Sequence, residues 1–236
     1  MKSLLSFFTR LPIDGKIETA SSTIYLIGVI ALIIGLVPFV IYVIIGKFVP
    51  RTVLTLILLL SIYFLTGLLH LDGLADFSDG VMKKGGRDQK VRALKDVNTG
   101  VAGIFAVITV LLSEFYAINS LKLSLLGVLT FFVVSEISSK VSMISGLTFF
   151  KVPETGLAHE FKKGFKWYYM PLSLIIIAPT AALFGFQLLN VLAGVIISLI
   201  IGEISYHNFG FVNGDSLGAM NEISRAVTMW LICLGL

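Results

Sequence analysis

Between residues 24 and 46 the chain carries no charged side chain. A helix of that length crosses roughly 30 Å of hydrocarbon. Lipid offers no hydrogen bonds to a backbone, so a run like this is restricted to a helix that satisfies its own peptide groups. Similar runs recur at 52–71, 100–120, 123–149, 171–186 and 188–206, with at most two charges in any of them. Residues 226–236 complete a seventh span if their helix begins near Ser216. The expected fold class is all-α: a polytopic integral membrane helical bundle of about six to seven transmembrane helices, one membrane-embedded domain over residues 1–236. Composition agrees, with 14% of residues charged and 56% hydrophobic, against about a quarter charged in soluble domains. Residues 4–12 are apolar but too short to cross, and read as an N-terminal interfacial helix that stops at Pro12. The single cysteine, Cys233, excludes a disulfide within the chain.

The basic residues orient these spans. One side collects Lys2, Arg10, Lys16, Lys83, Lys84, Arg87, Lys90, Arg92, Lys95, Lys151, Lys162, Lys163, Lys166 and Arg225, while the other has Lys47, Arg51 and Lys122. The positive-inside rule makes the richer side cytoplasmic. The N-terminus and all three polar loops, 72–98, 151–167 and 207–225, then share that face of a cell membrane. One-sided chemistry favours an enzyme over a transporter, whose polar groups run through the middle. The positive net charge is accounted for by orientation rather than by nucleic acid.

The first polar loop opens with His70-Leu71-Asp72-Gly73-Leu74-Ala75-Asp76-Phe77-Ser78-Asp79-Gly80. At about 100° per residue, Asp72, Asp76 and Asp79 fall within about 60° of one another on one helical stripe. Like charges at that spacing repel, and none of the eight residues before Asp72 is charged. A shared divalent cation such as Mg²⁺ or Mn²⁺, which takes carboxylate and water oxygens, relieves the repulsion. Further along, Asp88, Arg92 and Asp96 alternate in sign on one helical stripe, and Asn98, Thr99, Gly100 and Gly103 follow. The last polar loop holds Asn213-Gly214-Asp215-Ser216. Asp215 or Ser216 is expected to cap a helix there, with Asp215, Gly218 and Glu222 on one face. In the middle loop Lys151, Glu154, Gly156, His159 and Glu160 are candidate substrate contacts. Lys162, Lys163 and Lys166 with Trp167-Tyr168-Tyr169 form an interfacial belt. Glu114, Glu136 and Lys140 are costly in lipid and should face the bundle interior, Glu136 and Lys140 as a pair. Glu203 is a candidate to join the acidic site.

These pieces together resemble the cobalamin synthase family, the adenosylcobinamide-GDP ribazoletransferases. The resemblance rests on Phe8-Thr9-Arg10-Leu11-Pro12, on Gly67 through Gly80, on Arg87-Asp88, on Asp96 with Gly100 and Gly103, on Gly156, and on Gly214-Asp215-Ser216-Leu217-Gly218-Ala219 with Glu222. It covers nearly the whole chain in order, and its most specific part is His70 through Asp76. It implies an Mg²⁺-dependent membrane enzyme. That enzyme joins adenosylcobinamide-GDP to α-ribazole or its 5′-phosphate, and releases GMP with adenosylcobalamin or its phosphate. Asp72, Asp76 and Asp79 would hold the metal. Asp76, Asp79, Asp96 and Asp215 are the catalytic candidates, with Asp96 or Asp215 accepting the hydroxyl proton. Arg10, His70, Arg87, Arg92, Gly100, Gly214 and Glu222 are the substrate-binding candidates, the arginines as forks for phosphate oxygens. Two positions depart from the pattern: Glu114 and Glu136 stand in spans where the family carries basic residues, which leaves Lys140 as the candidate anion contact there.

Two other readings remain at this level. The acidic stretch has a looser likeness to the CDP-alcohol phosphatidyltransferases, without the alanine-arginine pair their motif carries, which would make the chain a lipid synthase. A divalent-cation transporter is the non-enzymatic alternative. Membrane lipid surrounds the protein in every case, and the small residues in the spans permit a homo-oligomer.

Overall fold

The computed structural model describes every residue except Val97, Leu123 and Leu236, so the expected start of the fourth span and end of the seventh lie outside the described residues. Every regular element among the described residues is helical. Two short helices, α1 (Lys2–Phe8) and α2 (Ile17–Ser22), precede α3 (Ile27–Ile45). Then come α4 (Arg51–Thr66), α5 (Leu69–Met82), α6 (Arg87–Ala93), α7 (Val101–Ser120) and α8 (Leu125–Phe149). The chain ends with α9 (Leu157–Gly164), α10 (Tyr169–Ile177), α11 (Ala181–Phe184), α12 (Val191–Phe209) and α13 (Gly214–Cys233).

Four helical runs are long and apolar enough to cross a membrane: Ile24–Ile45, Val101–Ser120, Leu125–Phe149 and Tyr169–Phe209. Counting the bent pair α4 and α5 as one more gives five. The run at 52–71 breaks after Thr66, where Gly67 takes φ +74°, a conformation that glycine adopts without steric cost. The axis turns 90° there, so α5 does not prolong the direction of α4. The two runs at 171–186 and 188–206 are joined in one 41-residue helical stretch, interrupted by 3-10 turns at Ala178–Thr180 and Gly185–Asn190.

Helix α13 is longer than the apolar tail alone suggested, because Asn213 starts it. The Asn213 side chain accepts from the Ser216 N–H at 3.0 Å, so the cap is Asn213 rather than Asp215 or Ser216. Asp215, Glu222 and Arg225 keep α13 out of the set of apolar runs. Its residues from Ser216 to Glu222 are nonetheless all buried, because α5, α7, α8 and α12 pack around it. Helix α8 is buried almost throughout, from Thr130 to Leu147, against α3, α12 and α13. Outward-facing Val40, Ile44, Phe105, Ile108, Ile196 and Ile200 are exposed. Exposed apolar side chains on runs of this length suit lipid contact.

Candidate active site

Asp72, Asp76 and Asp79 fall on α5 as the spacing required. Asp215 joins them from α13 because the two helices cross at glycines. A Cβ on Gly218 would stand 2.7 Å from the His70 carbonyl oxygen, and one on Gly73 would stand 3.0 Å from the Asp215 Cα. Only bare backbones approach so closely. The first turn of α13 is thereby laid over the first two turns of α5. Asp72, Asp76 and Asp79 lie beyond the 90° turn, and none of the four carboxylates falls in the four long apolar runs. Burial pushes the Asp76 carboxyl up to about 6, and the charges of Asp215, Asp72 and Asp79 push the same way. Burial also raises Asp215, with Asp72 adding to it, while a bond from the Asn213 amide at 2.6 Å opposes the rise. The four side chains thus form one field of mutual repulsion.

Asp79 has a structural task as well. Its Oδ2 accepts from the Gly100 N–H at 2.6 Å, and its Oδ1 accepts from the Gly103 N–H at 2.9 Å. It therefore binds the open N-terminus of α7, where unpaired N–H groups favour a carboxylate. Gly100 meets Asp79 rather than a free pocket. Among the described residues, no group of three His, Cys, Asp or Glu side chains is placed as a ready-made ion cage.

Other expected site residues are dispersed. Helix α6 ends at Ala93, so the stripe of Asp88, Arg92 and Asp96 is not continued. Asp96 is exposed and accepts from the Asn98 N–H and side-chain amide, both at 3.1 Å. Arg87 reaches the Tyr206 and His207 carbonyls at 3.5 Å, at the end of α12. Arg87, Asp88 and Arg92 share a shallow exposed hollow. Arg10 is exposed, its N–H donates to the Leu65 carbonyl at 2.7 Å, and its side chain lies over the Gly67 elbow. Glu203 is exposed on α12.

Glu222 is not at the acidic site. It is 2% exposed and bonds the Arg225 guanidinium, which no folding pattern in the sequence had singled out. Arg225 also donates to Glu114 at 2.8 Å, to Glu136 at 3.5 Å and to the Tyr63 hydroxyl at 2.8 Å. Lys140 donates to Glu136 at 3.1 Å and to the Asn221 side-chain Oδ1 at 2.8 Å. Lys140 is fully buried, so it neutralises Glu136 rather than holding a substrate anion. The pairing of Glu136 with Lys140 agrees with their i, i+4 spacing. Arg225 is an interior residue, not part of a basic loop.

A cavity of about 470 Å³ opens beside the acidic cluster. Asp215, Gly214, Asn213, His70, Lys95 and Thr155 are among its polar lining residues. Phe7 and Phe8 of α1, Phe161 of α9 and Phe211 line much of the rest. Helix α9 is fastened to α2: the Ser21 hydroxyl donates to the Phe161 carbonyl at 2.5 Å, and the Gly164 N–H donates to Ser21 Oγ at 3.1 Å. The aromatic wall was not read from the sequence. Its one local signal is Phe7-Phe8 on a helix too short to cross.

A family model described as cobalamin-5-phosphate synthase matches residues 1–233. Adenosylcobinamide-GDP ribazoletransferase of Pyrococcus abyssi is 34% identical, covering 100% of this chain and 98% of its own length. The enzymes of the same name from Thermococcus kodakarensis and Pyrococcus furiosus are each 35% identical. They cover 99% and 98% of this chain, and 98% of their own length in both cases. No solved structure matches. A match over nearly the full length, with relatives above 30% identity end to end, means that this chain belongs to the cobalamin-5-phosphate synthase family.

Proposed function

We propose that this chain transfers the cobinamide phosphate group of adenosylcobinamide-GDP to a ribose hydroxyl of α-ribazole or its 5′-phosphate. GMP leaves, and the product is adenosylcobalamin or its 5′-phosphate. The names of the relatives supply the reaction. The observation that carries it to particular residues is the position of Asp215, which lines the cavity and also stands in the electrostatic field of Asp72 and Asp76.

In the step, the acceptor hydroxyl oxygen forms a bond to the phosphorus that bears cobinamide. The bond from that phosphorus to the bridging oxygen breaks, and GMP departs with the electron pair. Such a displacement needs alignment and charge neutralisation more than covalent participation. Asp215 is the group assigned to take the hydroxyl proton, because its burial raises its affinity for protons and it faces the cavity. Asp96, tied to Asn98 in an exposed loop, is a poorer candidate. Asp72 and Asp76 would hold Mg²⁺. The donor set fits, since hard oxygens that repel one another suit that ion. Mg²⁺ commonly uses one or two carboxylates and completes its shell with water and substrate phosphates, so a closed protein cage is not required. When bound, the ion neutralises the charge on the diphosphate. Asp79, already committed to α7, fixes the register of α5. Arg10, Arg87 and Arg92 remain exposed donors on the basic side, suited to the phosphates and to GMP. We place this face, with the N-terminus, in the cytoplasm of a cell membrane, on the strength of the basic residues. The whole chain then acts as one catalytic unit.

The test is release of GMP from adenosylcobinamide-GDP by the purified protein, with α-ribazole and Mg²⁺ added together and then each withheld. Release should need both. Asp76→Asn should abolish it while the protein still inserts, and full activity in that variant would reject the metal role. No release by a folded wild-type protein would turn attention to CDP-activated lipids, then to ion flux.

A further inference from the structure

We infer that the aromatic cavity between α1, α9 and α13 is the seat of the acceptor nucleoside, with the fused aromatic base of α-ribazole against the phenylalanines. This deepens the reading above and rests on it. The cavity's volume of about 470 Å³ lies within the range of small-ligand sites, roughly 300–1,000 Å³. A corrin macrocycle with its fringe of amides is too large to be enclosed there. Guanine is small enough, but its edge is polar nearly all round, and burying such an edge against hydrocarbon costs free energy.

The wall has the opposite character. Phe7 and Phe161 pack edge to face with centroids 4.7 Å apart, and Phe8 lies 6.2 Å from Phe161. The His70 ring runs nearly parallel to Phe8, at 9° and 6.1 Å. Leu147 and Phe211 continue the apolar lining. A fused ring with hydrocarbon edges gains most from such rings, by stacking and edge-on contact. The polar end fixes its direction. Asn213 and Asp215 stand at the opening of α13, so a base seated among the rings leaves its ribose toward Asp215. There the attacking hydroxyl meets both a proton acceptor and the acidic cluster. The larger corrinoid substrate is left to approach the carboxylates from outside the cavity.

The test separates the two substrates. Thr155 lines the cavity on an exposed connection between α8 and α9, so Thr155→Trp fills the space with little demand on the core. In detergent with Mg²⁺ present, this variant should weaken α-ribazole binding, read by equilibrium dialysis without the second substrate, by about tenfold or more. The KM for α-ribazole should rise equally, and the KM for adenosylcobinamide-GDP should stay within about twofold. Phe161→Ala, where it folds, should likewise raise the KM for α-ribazole alone. Unchanged α-ribazole binding in Thr155→Trp, or a matching rise in KM for the corrinoid, overturns the assignment while transferase activity in the wild type stands. A wild type that binds no α-ribazole, as when a lipid or detergent tail fills the cavity, also overturns it. Wild-type binding of α-ribazole that Thr155→Trp abolishes, without turnover in either protein, supports the cavity and rejects the reaction instead.

Discussion

Asp79 and Asp76 are one turn apart on α5, yet their surroundings give them different work. Asp79 bonds two backbone N–H groups at the start of α7 with its two oxygens. Asparagine retains only one acceptor atom, so Asp79→Asn should turn an amide against one of those donors. We expect a loss of about 1–3 kcal/mol, read as a lowered unfolding temperature in detergent. Asp76 has no such partners, and burial and three neighbouring carboxylates raise it from its ordinary 3.8 to about 6. The sign follows from linkage. Between 3.8 and about 6 the folded chain holds a proton that the unfolded chain has released, so stability falls as pH rises through that window. With divalent ions chelated, thermal unfolding between pH 4 and 6.5 should show this slope, and Asp76→Asn should flatten it.

At the scale of elements, the crossing of α5 and α13 decides whether there is a site. Gly73 and Gly218 let the two backbones meet, and the meeting point lies between Asp72 and Asp76 on one helix and just after Asp215 on the other. Gly218→Ala places a methyl 2.7 Å from the His70 carbonyl oxygen. Backbone cannot yield there as a side-chain end would, so the helices must part. The expected cost is about 1–3 kcal/mol, with a larger fall in kcat than the loss of folded protein explains, because the Asp215 carboxylate retreats from the cluster. Purified variant protein, with kcat normalised to folded fraction by size-exclusion chromatography, checks it. Helix α4 illustrates the converse: its apolar run is continuous in sequence through Leu71, but Gly67 ends it and sets α5 across it.

For the molecule as a whole, the interior of the bundle is held by charge as well as by hydrocarbon. Glu114 of α7, Glu136 of α8 and Glu222 of α13 surround Arg225, and Lys140 adds a second cation. All five are at most 2% exposed. Burying such groups is expensive, and removing one partner of the set is severe because it strands an uncompensated buried charge. Arg225→Leu leaves three carboxylates facing one ammonium group and should cost about 3–5 kcal/mol, seen as loss of the monodisperse detergent-solubilised protein. Glu114→Gln leaves two carboxylates for two cations and keeps most of the hydrogen bonds, so it should cost about 1 kcal/mol or less. Thermal unfolding of the two single variants, each against the wild type, distinguishes the two. The network lies along α13 from Glu222 to Arg225, below Asp215 on the same helix, and so ties the acidic site to α4, α7 and α8.

What the sequence determined by itself is what repeats locally. Uncharged runs of membrane length specify helices, because a peptide group in lipid has no other partner. A spacing of three and four residues puts Asp72, Asp76 and Asp79 on one stripe whatever surrounds them, and an i, i+4 spacing pairs Glu136 with Lys140. The tertiary structure alone decided which distant groups meet. It brought Asp215 to Asp76 and withdrew Glu222 into the ion network. It joined Arg225 to Glu114 and left Asp96 in an exposed loop. It also set Phe7 and Phe8 against Phe161. Those outcomes depend on how closely helices far apart in the chain can pack, and on whether each buried charge finds a counter-charge. Both are settled by side-chain volume and burial across helices, and neither leaves a periodic mark along the sequence.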